Sequence, residues 1–272
     1  MRVVTLINKK GGVGKTTFAV NLSVGFANRG YHVVVLDLDA QADCSTVFLP
    51  DSPHLYAGSC DFLTLPDQEF SPSTLQTLLE PVPLRADRGS LKILPASEHL
   101  STAPEVLQRT QRFNVNGVLR KRLALSDTSG IDLILVDVAP AWSIITANGF
   151  LAADLLWMPS DLSMFGESGI ATLLDFRQQV EAQLDYSPSI GAILPNNYST
   201  RTRRSRDGLA NLRDTFGERV SPPIRNSTAI GEATDHKQDI WTFDSKRRTN
   251  GPGDFELVLD FLEPQIAQEE TP

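Results

Sequence analysis

Short runs of aliphatic and β-branched residues alternate along this chain with stretches whose apolar positions recur every three to four residues. Arg2 to Ile7, His32 to Asp37, Leu91 to Leu94, Ile131 to Asp137, Leu155 to Met158 and Ile190 to Leu194 read as strands buried on both faces, because they are largely apolar without a polar residue at every second position. Phe18, Leu22 and Phe26 step along one side of a helix, and Gly30 follows as its C-cap. Ile170, Leu173, Leu174, Phe176, Val180 and Leu184 mark a second amphipathic helix; Leu209, Leu212 and Phe216 mark a third. Strands that alternate with helices need right-handed crossovers. The pattern therefore predicts an α/β fold, a doubly wound, mostly parallel sheet with helices on both faces, as a single domain over residues 1–272. Residues 50 to 89 are rich in Pro, Ser and Asp and weakly periodic. They predict a surface excursion (48–90) with one short helix near Ser73 to Leu79. An acidic C-terminal helix and tail are expected over 250–272.

Composition changes the picture little. The 272 residues are 41% apolar and 21% charged, which is enough to bury a core and too apolar for a disordered chain. No apolar run reaches the length of a membrane span; residues 149 to 159 are short and carry Asp154. The start, Met1 to Asn8, is too short for a signal peptide and runs into Lys9 and Lys10, so a cytoplasmic protein is expected. Two cysteines, Cys44 and Cys60, make neither a disulfide framework nor a zinc site. The formal charge of −8 argues against general nucleic-acid affinity. Its distribution is uneven, though. Residues 198 to 225 hold seven arginines against Asp207, Asp214 and Glu218, a local +4, whereas residues 250 to 272 hold six acids and no base.

The chemistry starts at Lys10-Gly11-Gly12-Val13-Gly14-Lys15-Thr16-Thr17, which follows a predicted strand and opens a predicted helix. Glycines in that setting let backbone N–H groups turn in around phosphate oxygens, and the helix N-terminus adds its dipole. In such a loop Lys15 reaches the β and γ phosphates of ATP and the Thr16 hydroxyl ligates Mg²⁺. Further along, Asp37 and Asp39 are placed by strand alternation on the same side, at the carboxyl end of the second strand, where open α/β sheets bind ligands. Asp137 ends the apolar run Leu133-Ile134-Leu135-Val136 and is placed to hold Mg²⁺ through water.

The loop departs from the usual pattern. Lys9 stands where the first glycine is expected, and Lys10 directly precedes the double glycine. This resembles the deviant Walker A signature of the ParA/MinD superfamily, and the resemblance is to short ParA/Soj-type ATPases without an N-terminal helix-turn-helix domain. It implies that Lys10 crosses a dimer interface to the partner's nucleotide, with Gly12 permitting close approach. Asp39 then becomes the switch residue beside the attacking water and the metal. The family's Asp-x-Asp-Pro-Gln-Gly-Asn reads here Asp37-Leu38-Asp39-Ala40-Gln41-Ala42-Asp43, so Ala40 and Asp43 depart from it. Val138-Ala139-Pro140 is similar to the family's Asp-x-Pro-Pro continuation, and Pro159-Ser160 to Ile170 to its stretch after the fifth strand. Ile193 to Asn197 and Pro223 to Ala233 resemble the segments around the adenine, which makes Asn196 and Pro223 base-pocket candidates.

The resemblance further implies a homodimer with ATP and Mg²⁺ that coats double-stranded DNA without sequence preference, associated with the nucleoid and not with membrane. A ParB-like partner stimulates its slow hydrolysis, and the outcome is plasmid or chromosome partition. Arg201, Arg203, Arg204 and Arg225 are the DNA-binding candidates, followed by Lys246, Arg247 and Arg248. The acidic C-terminus lacks the basic face a membrane-binding helix needs. Both cysteines fall in the first 60 residues, which excludes the cluster-holding iron proteins that share this loop. Three alternatives stay open: a positioning ATPase for a protein cargo, a small-molecule ligase or kinase on the same scaffold, and a nucleotide-binding module without hydrolysis.

Overall fold

The computed structural model describes residues 1–50, 58–84, 88–111, 114–184 and 186–267, the side chains of 164–168 apart. In chain order the elements are β1 (Arg2–Leu6), α1 (Lys15–Asn28), β2 (His32–Leu38), α2 (Asp43–Phe48), α3 (Ser59–Thr64), α4 (Thr74–Leu78), β3 (Glu80–Val82), β4 (Ser90–Leu94), α5 (Ala103–Thr110) and α6 (Val118–Leu125). There follow β5 (Leu133–Val138), α7 (Ile144–Ala152), β6 (Leu155–Ser160), α8 (Met164–Leu184), β7 (Ser189–Pro195), α9 (Arg203–Phe216), α10 (Thr228–Asp235), α11 (Ile240–Phe243) and α12 (Gly251–Ile266).

The strands form one seven-stranded sheet in the order β3-β4-β2-β5-β1-β6-β7, parallel except for the β3–β4 pair. It is the doubly wound sheet that the strand–helix alternation predicts. The pleat sorts the side chains. Val34, Leu36, Ile134 and Val136 face the layer built by α3 to α9. Val33, Val35, Leu133 and Leu135 face α1, α2 and α10 to α12. Both layers are apolar, which is why these strands carry continuous rather than alternating hydrophobic runs. Gly25 of α1 touches α12 so closely that a Cβ there would stand 2.4 Å from Leu259 Cδ1.

The stretch expected to be a surface excursion differs. Phe62 and Leu63 of α3 and Leu75 of α4 are fully buried in the first layer, and β3 adds an antiparallel edge strand to the sheet. Each of these pieces is three to six residues long and contributes only one or two core side chains, so no periodicity builds up. Pro81 in β3 fits an edge position, where the missing N–H faces away from the ladder. The short helix near 73–79 is α4, and the acidic C-terminal helix is α12. Residues 51–57, 85–87 and 268–272 of the segments 48–90 and 250–272 lie outside the described residues.

Candidate functional site

β1 sits between β5 and β6, where the strand order reverses, and the loop Lys10–Gly14 turns from its carboxyl end into α1. Gly12 and Gly14 have φ of 73° and 100°, which side chains rarely adopt. At Gly14 there is also no space: a Cβ would lie 2.3 Å from Asn196 Nδ2. Val13 is buried, and its carbonyl accepts a 3.0 Å hydrogen bond from that same Asn196 amide. Gly11 lies against Pro140, 3.8 Å from the position of a Cβ, so the loop after β5 borders the phosphate loop. Lys15 heads α1 and is buried; Thr16 and Thr17 follow in the first turn.

The electrostatics centre on two carboxylates side by side. Asp37 and Asp137 are register partners on β2 and β5, and both are buried. Burial and the neighbouring Asp37 push the Asp137 carboxyl up to about 8, against the pull of the Thr16 hydroxyl and Lys15. Burial likewise raises Asp37 to about 6, offset in part by hydrogen bonds from Ser45 and Asp39. Desolvation lowers the Lys15 pKa, while Asp137 and Asp39 raise it.

Their hydrogen bonding separates the two acids. Both oxygens of Asp137 are buried without a hydrogen bond of good geometry, the Thr16 hydroxyl being near enough only to pull on the carboxyl. A carboxylate left bare in a low-dielectric pocket beside a threonine hydroxyl and a lysine suits a hard divalent cation, and Mg²⁺ characteristically takes few protein ligands. Among the described residues no group of three or more His, Cys, Asp and Glu forms a metal cage. The oxygens of Asp37, by contrast, are all engaged: Oδ1 accepts from Asp39 N at 3.1 Å, and Oδ2 accepts from Ser45 N at 2.9 Å and Ser45 Oγ at 2.6 Å. Asp39 lies beyond the end of β2 and is half-buried; its Oδ1 accepts from Gln41 N. β2 ends at Leu38, and Asp39 enters a turn in which the Asp37 carboxylate caps its backbone N–H.

Lys10 folds back onto its own chain. Its Nζ donates to Asp161, just past β6, and to Ser163 Oγ at 2.9 Å. Burial pushes the Asp161 carboxyl up, but Lys10 and Ser163 more than offset this and hold it below the ordinary range. The base of the loop is tied by Asn8, buried and absent from the sequence reading: Oδ1 accepts from Lys10 N, and Nδ2 donates to Pro159 O. Pro159, Asp161 and Ser163, the partners of Asn8 and Lys10, come from a distant segment, and no local motif announces them.

The other expected residues divide. Asn196 braces the phosphate loop through Val13 and caps Asn197 N through Oδ1, so both ends of its amide are already used. Pro223 is half-buried beside the segment in which Ile224 N bonds Pro195 O. Arg201, Arg203 and Arg204 are exposed at the start of α9, with Arg203 paired to Asp207 one turn on. Arg225 is a different case. Its guanidinium grips the buried Asp254 of α12 at 2.6 Å, and its N–H bonds the same carboxylate. That pairing serves the packing of α12 and removes Arg225 from the set of free cations. Lys246, Arg247 and Arg248 are exposed, with Arg247 3.6 Å from Glu256.

Comparison with known proteins follows the same lines. The AAA domain family matches residues 1–190. The chromosome-partitioning ATPase Soj of Treponema pallidum is 30% identical over 247 residues, covering 90% of this chain and 91% of Soj. The structure of a Cyanothece McdA variant in complex with ATP superposes with a TM-score of 0.78 at 19% identity, covering 100% of this chain and 98% of that one. Cobyrinic acid a,c-diamide synthase from Mycobacterium smegmatis, solved with an ATP analogue and magnesium, superposes with a TM-score of 0.69 at 26% identity over 92% of this chain and 98% of that one. Similarity of that extent makes this chain a member of the ParA/MinD superfamily of P-loop ATPases.

Proposed function

We propose that this chain is a ParA-type switch: ATP and Mg²⁺ bind at the loop 10–17, two subunits close on each other, the dimer holds DNA, and hydrolysis releases it. The observation that carries the reading is Lys10 at the edge of a phosphate loop, outside the buried position that Lys15 fills. One lysine suffices for the subunit's own phosphates; a second, 30% exposed and held by Asp161 and Ser163, is available to a neighbour once those contacts are exchanged. Within each subunit Lys15 meets the phosphate charge, Thr16 and Asp137 stand where Mg²⁺ is held, and Asp39 orients the attacking water. Mg²⁺, when bound, neutralises charge on the transferring phosphoryl group.

Arg201, Arg203 and Arg204 supply phosphate contacts that a dimer doubles, which suits sequence-independent DNA binding by a protein of net charge −8. Similarity to the chromosome-partitioning ATPase Soj supports partition as the outcome; a ParB-like activator completes the proposal. A small-molecule enzyme would need a substrate cavity at Lys10 or Asp39. Among the described residues, cavities of about 510 and 730 Å³ lie beside Phe48 and Trp241, and beside Arg2 and Asp154, and neither is lined by Lys10 or Asp39.

The test is binding to random-sequence duplex DNA without nucleotide, with ADP and with ATP plus Mg²⁺, across a salt series, with sedimentation in parallel. Dimer formation and salt-sensitive DNA affinity only with ATP are expected. A monomer in every nucleotide state would overturn the switch, and a dimer that ignores DNA would leave protein cargo as its object.

A further inference from the structure

Asp37 is buried, lies at the end of β2 and spends its oxygens on the loop that follows. Oδ1 accepts from the backbone of Asp39 at 3.1 Å; Oδ2 accepts from the backbone and hydroxyl of Ser45 at 2.9 and 2.6 Å. One carboxylate therefore ties both ends of the segment 39–45. Between those ties the chain makes a tight turn: Ala42 N donates to Asp39 O at 2.9 Å, Gln41 N to Asp39 Oδ1 at 3.0 Å, and Ala42 takes a φ of 55°. A non-glycine residue in that region is held there by its surroundings. Ser45 Oγ, having donated to Asp37, accepts from Ala96 N at 2.8 Å, just past β4. The hydroxyl thus links the turn to the next strand of the sheet.

Asp137, its register partner, keeps both oxygens bare. Two neighbouring acids thus have separate tasks. We infer that Asp37 and Ser45 are positioning residues that hold Asp39 at the γ-phosphate, acting on hydrolysis and not on nucleotide binding. The inference rests on the reading of Asp39 as the residue that orients the attacking water. Neither Asp37 nor Ser45 lies in the phosphate loop, so loosening them frees the Asp39 turn while leaving the cradle of backbone N–H groups, Lys15 and Thr16 in place. Such a pair is not additive with the group it positions.

The experiment compares wild type, Ser45→Ala, Asp39→Ala and Ser45→Ala/Asp39→Ala, with Asp37→Asn as a second route to the same contact. Affinity for a fluorescent ATP analogue and single-turnover hydrolysis of ATP with Mg²⁺ are read on each. Ser45→Ala is expected to keep affinity within about threefold and to lose about tenfold or more in hydrolysis, and to change hydrolysis less than about twofold in the Asp39→Ala background. Wild-type hydrolysis by Ser45→Ala, a parallel fall of affinity and rate, or an equal loss in both backgrounds overturns the inference. If Asp39→Ala itself hydrolyses at the wild-type rate, the reading of Asp39 falls and takes this one with it; if Asp39→Ala is slow and Ser45→Ala is not, only the positioning role falls.

Discussion

Asp137→Asn isolates the cost of keeping two acids side by side in the sheet. In the nucleotide-free protein the Asp137 carboxyl is raised from 3.8 to about 8, by burial first and by Asp37 second. Below pH 4 both folded and unfolded chains hold the proton, and the group contributes nothing. Between about 4 and 8 the unfolded chain has lost the proton and the folded chain keeps it. Unfolding then releases a proton, and stability falls as pH rises until the folded group ionises. Taken alone, a rise from 3.8 to about 8 is worth at most about 5–6 kcal/mol. Asp37 titrates with it, so the effect belongs to the pair. Asparagine keeps the shape and cannot ionise. We expect Asp137→Asn to gain on wild type by roughly 2–4 kcal/mol in unfolding free energy between pH 5 and pH 8, measured by urea denaturation with EDTA present. If Asp137 holds Mg²⁺ as proposed, saturating ATP and Mg²⁺ should reverse the order, stabilising wild type more than the variant. A constant difference across that pH range would refute the electrostatic argument, and a variant stabilised by Mg²⁺-ATP as strongly as wild type would refute the placement of Asp137 at the metal.

Gly14→Ala should abolish measurable nucleotide binding by calorimetry, because its Cβ meets Asn196 Nδ2 at 2.3 Å and φ is 100°; retained affinity would mean that the loop relaxes freely. Arg225→Ala leaves the buried Asp254 with little more than one backbone N–H. Since the Arg225 side chain is 46% exposed, the expected loss is only about 1–3 kcal/mol by urea denaturation. ATP-dependent DNA affinity should hold in that variant and fall, with a shallower salt slope, in Arg201→Ala/Arg203→Ala/Arg204→Ala. Arg122 is buried, stacks over Phe70 and leaves Nε and Nη1 without partners. Arg122→Met should therefore leave Tm unchanged or raise it; a drop of several degrees would show that the guanidinium contributes net stability.

What the chain announces by itself is what local geometry settles. The phosphate loop is legible because its glycines answer a backbone demand at their own positions, and because a strand before and a helix after it are visible as apolar periodicity. The strands of the parallel sheet are legible for a related reason: burial on both faces writes itself as an unbroken apolar run. Asp137 is readable at the end of such a run. The partners of these residues are another matter. Lys10 meets Asp161 across 151 positions and Arg225 meets Asp254 across 29, and nothing in either neighbourhood encodes the distance. Asp37 and Asp39 look equivalent as two acids at alternate positions, yet β2 ends between them, so one turns inward to bind Ser45 and the other enters the half-buried turn that follows. The stretch 48–90 reads as a surface excursion with one short helix because the core contributions of its described elements come singly, from pieces too short to show a period, and only packing against the sheet reveals them. Tertiary structure decided which charges are free and which are engaged, since solvation and pairing depend on what the fold brings alongside each group.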